Sequence, residues 1–494
     1  MHGESIKTVP NVEEVLVVNE KDREEEDNGA EKMTENTIAT HNMSEGTTNG
    51  ALNLFKVPKT DISTVAYRMV TIQPTTTGIN PMEFVIPGLD GFTDLGRSYF
   101  TMELALKKDD GGNLVDAEKL WPANNLAHTI IKQIDLHLNG TLISPQSDTY
   151  HYKAYFESLL NFDRADGKTI LRPSGWYNAL DSPPEWTANN TNKAGPHQHY
   201  TDLPQNQKNT LDAMIAETAE YAGGRTRSLV FKPHLEVFHT GKVLVPGVEI
   251  KMKFHFNSPN LFMNGVGLAA RLNEADIKIR FHMCQLRLNE TVFMNLSAKR
   301  EDGEVAVYPT VRSEIRTFSM DGALTRFDIP NLFQNRVPDR MIVGLVDSRA
   351  FNGAVTRDPF CFQKFQLTSI KQIVKGEEYP YETLQLVGNN SSKDLLGYFR
   401  FLLASGVVCK MKGNMVEQDD WGQGKGCTLF MFDNVASGCA DSANLNPRQS
   451  GDLQLKLEFR AAPGSNITVI VYGEFENLIE IDKNGAVLYD IYIH

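Results

Sequence analysis

His197 and His199 are the pair in this chain best placed by type to hold a metal ion. On a strand, two histidines one residue apart point to one face, where two imidazole nitrogens can share a cation. A β-barrel metalloenzyme would add a glutamate four residues on, and that position is Leu203. The pair also lies within "RPSGWYNALDSPPEWTANNTNKAGPHQHYTDLPQNQKN", where Pro, Asn and Gly favour a loop over a strand. Solvated loop histidines are the expectation. His234 and His239, five apart, would point to opposite faces of an extended segment and share no metal.

Other chemistry-bearing residues give little more. Gly422-Gln-Gly-Lys-Gly426 has the composition of a phosphate loop but not its G-x-x-x-x-G-K-[ST] spacing, and no helical pattern follows. A flexible hairpin tip is expected there. Arg225 and Arg227, in Gly223-Gly-Arg-Thr-Arg227, could meet an anion, but two arginines in a turn are ordinarily solvated. No G-x-S-x-G elbow or paired-carboxylate motif is present, although a triad assembled in space would leave no such trace. The four tryptophans (Trp121, Trp176, Trp186, Trp421) could form a sugar platform, with packing the commoner use. Five scattered cysteines (Cys284, Cys361, Cys409, Cys427, Cys439) form no C-x-x-C pair, which argues against structural zinc and a disulfide framework. No cofactor, metal or catalytic residue is assigned, and no enzyme is expected.

The elements that would position any site are strands. Phe100-Thr-Met-Glu-Leu-Ala-Leu106, Val248-Glu-Ile-Lys-Met-Lys-Phe-His-Phe256, Ile277-Lys-Ile-Arg-Phe-His-Met283 and Leu453-Gln-Leu-Lys-Leu-Glu-Phe459 all alternate with period two. The third slips phase at Cys284-Gln285-Leu286, which predicts a bulge. Asp110-Gly111-Gly112, Asn139-Gly140, Asn352-Gly353 and Asn484-Gly485 supply turns. Long helical patterns are nearly absent, so the class is mainly antiparallel all-β and sandwich-like.

An internal repeat organises these strands. Ile131-Lys-Gln-Ile134 recurs as Ile370-Lys-Gln-Ile373, an offset of 239, and the strand around Met102 then falls on Met341. A helical stripe follows each tetrapeptide: Tyr152, Tyr155, Phe156, Leu159 and Leu160, then Leu395, Tyr398, Phe399, Leu402 and Leu403, displaced by 243. Each stripe is expected to be buried in its own half, closing that core. Ser391-x-x-Asp394 reads as a capping box for the second helix and Gly406 as its stop. Strand, strand and helix recurring in one order indicate a tandem duplication.

The divisions expected are an acidic disordered leader at 1–51, a first sandwich at 52–298 and a second at 299–494. The boundary falls near 295–305, at Lys299-Arg-Glu-Asp-Gly303. The first half has a long surface loop at about 172–210, a natural carrier of contacts. Residues 1–50 hold twelve Asp/Glu and four Lys/Arg, a charge of −8 out of the total −13. The rest, at −5, lacks the cationic excess of a protein that coats nucleic acid. No run of eighteen apolar residues suits a membrane span, and the first twenty-one residues, with six charges, make no signal peptide.

Three blocks carry a family resemblance: "DLHLNGTLISPQSDTYHYKAYFESLLNF" (135–162), "VPDRMIVGLVDSRAFNGAVTRDPFCFQKF" (337–365) and "VYGEFENLIEIDKNGAVLYD" (471–490). Together they resemble the major capsid proteins of Polinton/Maverick elements and adintovirus-like viruses, members of the double jelly-roll capsid family. In those proteins a strand-NG-strand unit leads into a Tyr-x-Tyr-(Arg/Lys)-Ala-Tyr helix ending in Leu-Leu. Here it stands as Tyr150-His-Tyr-Lys-Ala-Tyr155, with His151 where the family has Pro. The resemblance spans roughly 52–494, is loose over 172–210, and omits the leader. It implies two tandem eight-stranded jelly rolls, each with a short helix. It further implies a homotrimer forming a pseudo-hexagonal capsomer, penton or minor capsid proteins as partners, and a virion shell around double-stranded DNA. A single-jelly-roll penton or minor capsid protein and a β-sandwich carbohydrate-binding protein are the competing readings.

Overall fold

The computed structural model describes Leu54 and residues 59–489, except 116–119, 145–146, 189–190, 192–202, 268, 387–393, 411–412, 439 and 441–444. The acidic leader lies outside these residues. Asp61–His494 forms one compact unit.

Eight strands build the two main sheets of the first half: β1 (Thr64–Ile72), β2 (Met82–Ile86), β3 (Phe92–Leu104), β4 (Ile131–Leu138), β5 (Thr141–Leu142), β6 (Arg227–Phe231), β7 (Ile250–Phe256) and β8 (Ile277–Leu288). They pair as two four-stranded antiparallel sheets, β1-β8-β3-β6 and β2-β7-β4-β5. The second half runs β9 (Ala306–Met320), β10 (Arg326–Ile329), β11 (Arg340–Asp347), β12 (Leu367–Val374), β13 (Glu377–Glu378), β14 (Leu384–Gln385), β15 (Leu429–Asp433), β16 (Leu453–Phe459), β17 (Ile467–Ile481) and β18 (Val487–Tyr489). Its sheets are β9-β17-β11-β15, with β18 added beside β17, and β10-β16-β12-β13, with β14 added beside β12. With the two added strands set aside, both halves interleave eight strands in the order 1-8-3-6 and 2-7-4-5. The chain is a double jelly roll: the strand periods and the repeat predict two tandem β sandwiches, and the family resemblance implies the jelly-roll form.

Local chemistry explains the strand edges. Asn139 (φ 45°) and Gly140 (φ 82°) are both left-handed, the geometry a two-residue hairpin needs between β4 and β5. The phase slip at Cys284 is a register shift between His282 and Cys284 where β8 meets β3. Both inner faces close on aromatic side chains. In the first half Phe100 lies 4.6 Å from Phe281 and 5.3 Å from Phe254.

The helices depart further from expectation. α1 (Tyr150–Asn161) lies between the halves, and nearly all of it is buried. Tyr150 and Ala154 pack in the first core. Tyr152, Tyr155, Phe156, Leu159 and Leu160 instead enter the second. The stripe that spacing assigns to its own jelly roll therefore joins the two. Among the described residues, two helices of twelve residues or more went unforeseen. α2 (Gln205–Ala219) buries only a narrow strip, with Leu211 and Met214 against Trp121, Tyr177 and Trp186. α3 (Glu290–Glu301) occupies the stretch expected to interrupt the strands and buries no residue; Asn289 Oδ1 caps it by accepting from Thr291 N.

Over 174–186, burial corrects the expectation of a surface loop at 172–210. Trp176, Tyr177, Leu180, Asp181, Ser182 and Trp186 are all buried, and residues from Gln205 onward already belong to α2. Large aromatics spaced through a polar stretch anchored it inward against its average composition.

α4 (Leu395–Ala404) corrects two expectations. Gly406 stops it at φ 78°, donating to the Leu403 carbonyl as read from sequence. Asp394 precedes the helix but makes no capping bond; its carboxylate is bound by the Lys364 ammonium, both side chains fully buried. Ser391 lies outside the described residues. No residue of the stripe is fully buried: Leu395 and Phe399 are about half exposed and Tyr398, Leu402 and Leu403 are partly covered, while the helix buries Gly397, Phe401 and Ala404 on a neighbouring face.

Candidate functional site

The residues singled out from sequence do not converge. His197 and His199 lie outside the described residues. Gly422 to Gly426 form a tethered turn, with Lys425 N donating to Gly422 O and Gly426 N to Asp181 Oδ1. A carboxylate at that spot repels a phosphate, and the expected flexible tip is pinned. Arg225 donates from Nε to the Ala222 carbonyl and from Nη2 to the Ala219 carbonyl at the end of α2. Arg227 and Arg172 both bind the buried Glu217 carboxylate. These contacts hold α2 in place; Arg227 departs from the solvated reading, while Arg225 stays exposed. All four tryptophans are buried, so none offers a ring face to a sugar. Cys284, Cys361 and Cys427 are buried free thiols. Among the described residues, no group of three or more His, Cys, Asp or Glu side chains is arranged to hold a metal ion.

Titratable groups instead gather where the two jelly rolls meet, in a cleft of about 520 Å³. α1 supplies Lys153 and Glu157; the 234–240 segment supplies His234, Glu236 and His239; and β11 and β17 supply Arg340, Tyr472, Glu474 and Glu476, with Asp339 beside them. His234 and His239 were expected on opposite faces. A 3₁₀ turn at Glu236–Phe238 curls the chain and brings their rings to 6.0 Å, with His128 4.8 Å from His234. Sequence reasoning missed this cluster because its members come from five separate stretches. The only local hint was a histidine pair flanking a glutamate.

One array has the connectivity of a hydrolase triad. His234 Nδ1 lies 2.7 Å from Glu157 Oε2, and its Nε2 lies 3.5 Å from Ser158 Oγ. The serine is unsuited to attack. Ser158 is fully buried on α1, and its hydroxyl donates to the Ala154 carbonyl at 2.7 Å. A nucleophile needs both a closer base and room for a substrate. The array is a structural tie, extended by Tyr472, whose hydroxyl donates to Glu474 Oε1 at 2.9 Å and lies 3.2 Å from Glu157 Oε1. Arg340 completes it by pairing with Glu474 at 2.7 Å.

Electrostatics divide the cleft. Burial alone would raise the Glu157 carboxyl, but the Lys153 charge and the histidine contacts outweigh it and hold it at about 2. Glu236 lacks equal compensation; burial lifts it to about 7 against the pull of Lys153 and a hydrogen bond from Tyr489. Asp339 is raised to about 6 by burial, with neighbouring Glu476, Glu474 and Asp433 adding to the shift against one backbone hydrogen bond. Burial and the neighbouring histidines push His128 well below the ordinary imidazole range. This arrangement ties the two sandwiches together through partly buried charged groups.

Comparison with known proteins follows the fold. No family model matches the chain. An uncharacterized protein of Caenorhabditis elegans is 25% identical over 430 residues, covering 81% of this chain and 91% of that protein. Among solved structures, the mavirus major capsid protein covers 94% of this chain and 97% of its own, at 12% identity and a TM-score of 0.51. The Sputnik virophage structure matches with a TM-score of 0.53 and 9% identity over 91% of this chain and 94% of that one. The PBCV-1 virus capsid matches with a TM-score of 0.51 and 12% identity, over 89% of this chain and the whole of that one. The shared feature is the double jelly roll.

Proposed function

We propose that this chain is a major capsid protein whose chemistry is self-association. Three copies would form a pseudo-hexagonal capsomer, and capsomers would tile an icosahedral shell around double-stranded DNA. The observation that carries this reading is the repeated 1-8-3-6 and 2-7-4-5 strand order, with the two sandwiches held together by α1. A protein that works by tiling needs two similar blocks in fixed relation more than it needs a reactive pocket. The solved proteins with this fold include a major capsid protein and virus capsids, and the same architecture supports a structural, non-enzymatic role here.

The finer assignments rest on the sequence blocks. The three quoted segments support membership of the Polinton/Maverick and adintovirus-like group, with jelly rolls at 52–298 and 299–494, penton or minor capsid proteins as partners, and a place in the virion. The near-neutral body suits dense packing of like copies, because a large single-sign field would oppose assembly.

Electron microscopy of the purified full chain tests the reading. Hexagonal capsomers or closed shells are the expected particles. Isolated single chains across a wide range of salt and protein concentration would refute it.

A further inference from the structure

Of the described lysines only Lys153 and Lys364 are buried, and Lys364 has no exposed surface at all. A buried amine is a nucleophile set aside from water, and self-association makes no use of it. Its side chain meets that of Asp394, and both are 0% exposed. The ammonium donates to Asp394 Oδ2, which places Nζ beside the carboxyl carbon, one bond further on.

Both ends of the pair are held. Gln363 N donates to the Leu345 carbonyl of β11, and Leu367 N to the Lys364 carbonyl. Phe365 (φ 48°) and Gln366 (φ 60°) then follow as consecutive left-handed residues. That conformation is costly for side chains of their size and persists only where the surroundings dictate it. On the other side, the Asp394 carbonyl accepts from Gly397 N and Tyr398 N, which fixes Asp394 at the start of α4. Gly397 lies so close to Trp421 that a Cβ there would meet the ring at 2.5 Å, so the helix cannot slide. The chain neighbours Phe362, Leu367 and Phe401 all belong to the second core. The pair therefore sits in a dry, rigid site.

We propose that Lys364 and Asp394 join in an intramolecular isopeptide bond, formed after folding by condensation of this pair. The ion pair is the reactant state and the amide its product. In water an ammonium and a carboxylate do not condense, because neither charged form reacts with the other. Burial makes the two charges costly and favours the neutral forms. One proton passes from Nζ to Oδ2, leaving an amine and a carboxylic acid. The amine lone pair attacks Cγ, and the N–C bond forms as the carbonyl electrons move onto oxygen. The nitrogen then gives a proton to the hydroxyl, the C–O bond breaks, and one water leaves. Atoms and charge balance with no oxidant, reductant or cofactor. Fixed geometry supplies the encounter that free groups lack. The first-turn N–H groups of α4, which have no partner within the helix, lie on the Asp394 side and favour the negative oxygen of the intermediate. The product ties the entry of β12 to α4 across a separation of 30 residues.

Intact mass spectrometry of the denatured wild-type full chain tests the bond, after incubation of the folded protein at neutral pH. The expected mass is that of the sequence less one water. A tryptic map should contain one branched peptide joining the segments around Lys364 and Asp394. Lys364→Arg keeps the positive charge but offers no amine nucleophile, so it should restore the missing water. The map is read on the wild-type chain, so the result stands even if the variant fails to fold. A full sequence mass, with trypsin cutting after Lys364 and Asp394 recovered in a linear peptide, overturns the bond and leaves an ion pair. A water lost at any other position overturns it too. Neither outcome bears on the capsid reading, which rests on the strand order.

Discussion

Two buried charges show how far single residues commit this fold. Lys364 and Asp394 are paired with no exposure to water. Removing one partner strands the other charge, so Lys364→Met should destabilise the chain by about 3–5 kcal/mol in chemical denaturation. Adding Asp394→Leu should recover much of that loss; a double variant as weak as the sum of the two singles would contradict the pairing. Glu236 acts in the opposite sense. Its folded pKa of about 7 exceeds the ordinary 4.5, so the folded state holds a proton that the unfolded chain has released. Stability therefore falls as pH rises from about 4.5 to 7. Glu236→Gln removes this penalty and should raise stability at pH 8 by roughly 1–3 kcal/mol, with the gain vanishing near pH 4.5. A gain independent of pH in thermal melts would show that the carboxyl is not held in its neutral form. Neither the Lys364–Asp394 pair nor the cleft was legible in the sequence, because their members are brought together only by the tertiary fold.

Among the elements, the strands were the legible part. Leu453 to Phe459 alternates without a fault and is a strand over those same residues, and the bulge at Cys284 was visible as a phase slip. A period of two is set by local backbone geometry, so it survives in the sequence. Helices were read less well because their burial depends on partners. α2 presents mostly polar side chains and α3 buries nothing, so neither leaves an apolar stripe to find. α1 and α4 share one spacing yet meet different fates, since spacing tells which residues share a face and not what covers it. Phe156→Ala should therefore cost about 3–5 kcal/mol in unfolding experiments, the price of a cavity between two cores. Phe399→Ala, half exposed, should cost the isolated chain well under about 1 kcal/mol. Equal losses would mean that α1 is not the link described.

For the whole molecule, duplication explains the architecture. One jelly roll buries its own sheets, and the second adds a neighbour joined to it through α1. The measurement that bears most directly on this account is the native mass of the purified full chain at micromolar concentration. A principal species at three times the 55.3 kDa chain mass is the expected result. A single species at 55.3 kDa that persists at low and high salt would contradict it.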